Sequence, residues 1–199
     1  TEIVPANPAH GPASIQGFYD AALCVPEVIK EIHKHRNVDG IVIACFDDTG
    51  LDAIRSLVDV PVIGIGEAAF HAASMLGTKF SVITTLSRSV AGLEANLLRY
   101  GLAAKCGKVH ATDIPVLKLE ESAPHEVSLI RNAIGGAIEQ DGADTIVLGC
   151  AGMTDLADLL SQEFGVPVVD GVVCAVTFVE ALIAAGFKTS KRGGYAYPL

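Results

Sequence analysis

The sequence predicts an α/β fold of mainly parallel sheets flanked by helices. Three observations predict it. Short β-branched runs alternate with amphipathic or Ala-rich stretches along the chain. Runs such as TIVLGC are apolar throughout, as strands are when both faces of a sheet are covered. One order of elements occurs twice, each time with a cysteine closing its first strand.

In chain order the expected strands are EIV, GIVIAC, VPVIGI, FSVITT, KVHATD, TIVLGC and VPVVD. Each is a short run with Val, Ile or Thr bounded by Gly, Pro, Asp or charged residues. The expected helices are PEVIKEIHKH, GLDAIRSLV, EAAFHAASML, SVAGLEANLLRYG, APHEVSLIRNAIGGAIEQ, LADLLSQEF and CAVTFVEALIAAG. These are longer, and most space their apolar residues three and four apart. The last apolar tract is interrupted by Asp170 and Glu180, so it reads as a strand and a buried helix rather than a membrane span. The ending KTSKRGGYAYPL reads as a surface extension.

The repeat is visible residue by residue. With Cys45 over Cys150, Ile41 meets Ile146, Val42 meets Val147, Thr49 meets Thr154, Leu51 meets Leu156 and Ser56 meets Ser161. After one residue of slippage Pro61 meets Pro167, and DVPVIGIGEAAF lies over GVPVVDGVVCAV. Any two βαβ units share an element order; the cysteine at the same place in both is the added signal.

Composition excludes some functions. The chain has 199 residues, half of them hydrophobic, and a net charge of −9. That length suits one globular unit or two small lobes sharing a core. The acidic balance argues against nucleic-acid or membrane-surface partners, and the absence of Trp argues against a base-stacking platform. The opening TEIVPANPAHGP has neither the basic nor the apolar part of a signal peptide. Five scattered cysteines, an odd number, fit a reducing cytoplasm rather than a disulfide framework. His33 and His35 stand two apart and do not share a helix face, so no metal site is expected. GIGEAAF lacks dinucleotide-loop spacing, and P-loop, nucleophile-elbow and CxxC patterns are missing.

Location gives the cysteines a chemical meaning. Ligands of open parallel sheets bind beyond the carboxyl ends of the strands, where Cys45 and Cys150 are expected. Each is expected just before a helix, whose N–H groups would lower a thiol pKa from ~8.5. A pseudo-twofold arrangement would bring the two turns face to face across a cleft. One thiolate would then remove a proton from a stereocentre, and the other thiol would supply one to the opposite face.

The segments GPASIQGFYDAALCVPEV, IVIACFDDTGLDAIRSL, ITTLSRSVAGLEANLLRYG, LGCAGMTDLADLL and GFKTSKRGGYAYP resemble the hydantoin racemases and the similar allantoin racemases, within the aspartate/glutamate racemase superfamily. The resemblance runs through nearly the whole chain. It implies a cofactor-independent racemase with catalytic Cys45 and Cys150, acting on a small molecule as a cytoplasmic homo-oligomer. It also implies two similar lobes with the site between them, assigned as 1–77 plus 175–199 and 78–174. The family's opening strand and Asn-Pro-Asn-Ser/Thr turn have no counterpart in this numbering, which starts at a segment similar to the family's second strand.

Other residues have two readings each. Backbone N–H groups of Phe46, Asp47, Ala151 and Gly152 would hold ring carbonyls and an enolate oxygen, or they form ordinary turns. Thr84 and Thr85 would bond a hydantoin or ureido group, or they cap the next helix. Asp47 and Asp48 would pair as general acid and base, or, since adjacent residues usually point apart, one of them is a cap. The resemblance implies that Ser14 and Ile15 line the cleft. Cys24, Cys106 and Cys174 read as small packing residues.

Overall fold

A computed structural model describes residues 1–35, 37–121 and 124–199. The first unit runs α1 (Phe18–Lys34), β1 (Ile41–Ile43), α2 (Leu51–Leu57), β2 (Val62–Gly64) and α3 (Ile65–Leu76). A middle stretch follows, with β3 (Phe80–Thr84), α4 (Ser87–Arg99), β4 (Cys106–Ala111) and α5 (Pro124–Gly136). The second copy is β5 (Thr145–Gly149), a 3₁₀ turn (Ala151–Leu156), α6 (Ala157–Phe164), β6 (Val168–Asp170) and α7 (Gly171–Ala184). All pairings are parallel: β1 with β2, and β4-β3-β5-β6 in a second sheet. This is the α/β architecture expected from the alternation, and every strand of β3 and β5 is buried along its length.

The repeat is carried by equivalent hydrogen bonds. Ile41 N donates to Pro61 O and Ile146 N to Pro167 O, both at 2.9 Å. Cys45 O accepts from Asp48 N at 2.9 Å, and Cys150 O from Met153 N at 3.1 Å. Both cysteine turns are thus closed by the amide three residues on, although Asp48 is left-handed whereas Met153 lies in a 3₁₀ segment. Helices α3 and α7 pack along each other, and each also lies on the other copy's strands. The approach is close: a Cβ on Gly171 would come within 2.4 Å of Ile65 O, and one on Gly40 within 2.3 Å of Val179 Cγ1. Only glycine leaves room for these contacts.

The largest buried cluster lies between the sheets and α3, α4 and α7, and includes Phe46, Phe70, Phe80, Leu93 and Ala175. Phe70 meets Phe46 edge-on at 5.4 Å and stacks on Phe80 at 6.0 Å. Pairs of this kind contribute about 0.5–1.5 kcal/mol beyond burial. A second cluster around Ile130, Ile134, Leu148 and Leu160 fills the other face of the four-stranded sheet. Ile43, Leu51, Ile54 and Val62 form a smaller third cluster under α1.

Two sequence expectations are corrected. EIV forms no strand, because a strand exists through its ladder and no described strand pairs with it. Helix α1 starts at Phe18, eight residues before the expected Pro26, and contains that proline. The apolar face around Val25, Val28 and Ile32 outweighs the single backbone bond that proline removes. The ending lies on the surface, as expected, and is tied down there. Thr189 N and Oγ1 donate to Asp59 O and Val60 O, Lys191 Nζ to Arg55 O, and Tyr195 OH to Asp52 Oδ1.

Candidate active site

Cys45 and Cys150 both stand at strand ends, each followed by a turn. Asp47 is their common electrostatic neighbour: its carboxylate raises both thiols. In each copy the amide two residues on, Asp47 N–H or Gly152 N–H, faces the cysteine sulfur and pulls its pKa down. The sequence reading offered these same two amides to substrate carbonyls. Gly152 is small for a local reason, since a Cβ there would meet Leu119 at 3.3 Å.

The expected low thiol pKa is overturned. Burial, then the Asp47 charge, pushes Cys45 up to about 11, against the pull of Thr49 and two backbone amides. Burial also raises Cys150. The helix dipole cannot compensate at Cys45, because α2 starts only at Leu51. Cys150 does precede a helical turn, but that turn is a short 3₁₀ segment. Asp47 is itself pushed up to about 6 by burial.

Asp48 is the cap of the aspartate pair, and it caps α3 rather than its own helix. Its Oδ1 accepts from Gly66 N at 3.0 Å and its Oδ2 from Glu67 N at 2.8 Å. It holds a positive φ of 53° and is 4 % exposed. In the second copy the equivalent amides of Val172 and Val173 are bonded by Asp170, from the end of its own strand. The two copies have exchanged positions. Asp48 and Gly64 in the first correspond to Met153 and Asp170 in the second. A Cβ on Gly64 would lie 1.9 Å from Asp48 Oδ1, so the carboxylate fills the space that Asp170 fills from its own backbone.

The threonines differ as well. Thr49 Oγ1 lies 3.3 Å from Cys45 Sγ, while Thr154 Oγ1 is 2.9 Å from Asp170 Oδ1. Thr84 Oγ1 donates to Gly149 O at 3.2 Å and ties β3 to the strand that ends in Cys150. Neither Thr84 nor Thr85 caps α4, whose Ser87 N–H is taken by Asp113 Oδ1 at 3.0 Å. Thr85 is buried, and its hydroxyl makes no hydrogen bond among the described residues. Phe46 contributes its ring to the core. Ser14 Oγ accepts from Gln16 Nε2 at 2.7 Å, and Ser14 and Ile15 are half-buried.

Two cavities of about 300 Å³ flank the Cys45 turn. One lies between α1, the turn and α4, with Asp47, Asp48, Arg88 and Asn96 in its wall. The other runs beside β1 and ends at Cys45 and Thr49. Among the described residues no cluster of three or more His, Cys, Asp or Glu could hold a metal ion, and no helix is long and apolar enough to cross a membrane. Cys24, Cys106 and Cys174 are free and partly buried, and burial raises all three.

Comparison with known proteins now decides the family. The profile described as Asp/Glu/Hydantoin racemase matches residues 1–179. The chain belongs to this racemase family. It is 48 % identical over 200 residues to a hydantoin racemase of Rhizobium meliloti, covering all of this chain and 83 % of that protein. Its fold is similar to an allantoin racemase from Klebsiella pneumoniae, with a TM-score of 0.92 and 44 % identity over 96 % of this chain and 79 % of the other. A second allantoin racemase, from Pseudomonas fluorescens, gives a TM-score of 0.95 at 38 % identity over 99 % and 84 %. The fold class and family resemblance read from the sequence agree with these likenesses. Sequence reasoning passed over Asp48 as a cap of α3 and Thr49 as a partner of Cys45. The aligned pair Thr49 and Thr154 was the available signal for the second.

Proposed function

We propose that the protein racemises 5-substituted hydantoins, allantoin among them, by proton transfer between Cys45 and Cys150 at C5. Whole-chain similarity to hydantoin and allantoin racemases supports the substrate class. The observation that carries the mechanism is the pair of equivalent cysteine turns sharing Asp47.

The step balances simply. One sulfur, as thiolate, takes the C5 proton. The C–H electron pair moves into the ring and places charge on the adjacent carbonyl oxygen. The opposite thiol gives its proton to the other face of C5 and is left as thiolate. No electrons are gained or lost overall, and the carbonyl beside C5 supplies the delocalisation. A raised thiol pKa makes the thiolate a stronger base but leaves less of it at neutral pH, so the reaction should speed up as pH rises toward the thiol pKa. The backbone N–H groups of Phe46 and Ala151 and the Thr85 hydroxyl are the groups we assign to the substrate's oxygens. The cofactor requirement is none on this reading, and the enzyme acts as an isomerase in a homo-oligomer.

Polarimetry tests the reading. A single enantiomer of a 5-substituted hydantoin should lose its optical rotation without change of mass. Loss of carbon dioxide from a substituted malonate, with no racemisation, would favour a decarboxylase of the same fold. Binding without turnover would favour a non-catalytic small-molecule protein.

A further inference from the structure

The two cysteine turns are built alike but are held differently. In the first copy the carboxylate that seats the helix behind the turn is Asp48, three residues after Cys45 and within the same closed turn. In the second copy that carboxylate is Asp170, which belongs to a different element. Any group that holds Asp48 therefore also holds the Cys45 backbone; at the Cys150 turn the hold runs instead from Asp170 through Thr154 to Ala151 O, and among the described residues no side chain is bonded to Met153 in the place of Asp48.

Such a group is present. Tyr100 OH donates to Asp48 Oδ2 at 2.6 Å. Arg99 Nη2 donates to Tyr100 OH at 2.6 Å, and Arg99 Nη1 to Asp52 Oδ2 at 2.7 Å. Tyr195 OH, from the pinned ending, donates to Asp52 Oδ1 at 2.8 Å. The chain of bonds thus runs from the C-terminal segment through α2 and the end of α4 to the Cys45 turn. It bypasses the second copy.

We propose that Tyr100 is a positioning residue for Cys45 alone, holding its turn through Asp48 while leaving Cys150 untouched. The catalytic side of this statement rests on the racemase reading above; the tether itself does not. Racemisation uses both thiols in each direction, so wild-type rates cannot separate the two sides. Single-cysteine backgrounds can.

Tyr100→Phe keeps the ring and deletes the hydroxyl. Two measurements follow. In the first, iodoacetamide labelling of the otherwise unaltered protein is resolved by mass spectrometry. Cys45, now in a looser turn, should label at least fivefold faster, and Cys150 should stay within twofold. In the second, C5 hydrogen exchange in D₂O is followed with each enantiomer. Added to Cys150→Ser, Y100F should slow exchange by roughly ten- to a hundredfold, the scale of a misplaced catalytic group. Added to Cys45→Ser, it should change exchange less than twofold. Equal effects on both cysteines, or on neither, would overturn the tether. If neither single-cysteine variant exchanges hydrogen, the racemase reading fails, and the labelling alone then decides the tether. Should Y100F not fold, Arg99→Gln cuts the next link and is read by the same asymmetry.

Discussion

Cys45 Sγ stands 3.3 Å from Thr49 Oγ1, whereas the equivalent hydroxyl of Thr154 lies 2.8 Å from Ala151 O and 2.9 Å from Asp170 Oδ1. Two residues that align in the sequence thus do different work. Thr49→Val should raise the Cys45 thiol further, since the Thr49 bond pulls it down. Its alkylation at pH 8 should fall roughly tenfold, the scale of one hydrogen bond to a charged group. Thr154→Val should spare both thiols and lower stability by about 1 kcal/mol. Site-resolved labelling and thermal melts check the pair.

Asp47 raises both thiols by its charge. Removing that charge should lower both. The base must be a thiolate, so kcat/KM should rise as pH increases above neutrality in the wild type. In Asp47→Asn the same rise should occur at lower pH. A profile that stays in place, or moves to higher pH, would remove Asp47 from the electrostatics of the site.

Asp48 makes stability depend on pH in an unusual direction. Burial pushes it up to about 7 despite its hydrogen bonds, against an ordinary aspartate value of ~3.9. The folded chain then holds the proton that the unfolded chain releases. This contribution is full below about pH 4 and is lost as pH rises through about 7. Asp144 works in the opposite sense. Its bonds to Thr78 and Lys79 hold it down to about 2, so its contribution is lost as pH falls below about 4. Asp48→Asn should make the decline between pH 4 and 7 shallower and leave the acid side unchanged. Denaturant midpoints across pH would show an unaltered slope if Asp48 were not the cause.

The exchanged positions of the two copies can be tested by completing the swap. Gly64→Asp alone brings two carboxylates into one space and should destabilise strongly. Asp48→Met alone leaves the Gly66 and Glu67 amides without their acceptor. The double variant carries the residue types of Met153 and Asp170 of the second copy, with the Met placed on the left-handed backbone of position 48. It should be more stable than the sum of the singles by more than about 1 kcal/mol, as expected for groups in direct contact. Additive losses would mean that the carboxylate is not interchangeable between the two backbones.

Replacing Cys45 or Cys150 singly by Ser should lower racemisation by about 10²–10⁴-fold, the range of general acid–base groups. Each variant should retain deuterium exchange with one enantiomer, and the two should prefer opposite hands. Wild-type racemisation in either variant would remove that cysteine from the reaction.

The sequence by itself determined the fold class, most of the elements and the paired cysteine turns. Continuous apolar runs, helical spacing and Val-Pro-Val strands are local properties, and β3, β5 and α3 follow them closely. The repeat put Cys45 and Cys150 in equivalent turns because the same short-range bonds close both. Tertiary structure alone decided how each turn is held. EIV has strand chemistry without a ladder, and Pro26 sits inside a helix because packing outweighs one lost bond. The thiol pKa values went against the local reading, since burial and the Asp47 charge exceed what nearby amides supply. Asp48 looked like a local cap, yet its partners are Gly66, Glu67 and Tyr100, all distant in the chain. Such partners are chosen by the packing of α3 and α4 against the turn, and a carboxylate's hydrogen bonds leave no periodic mark in a sequence.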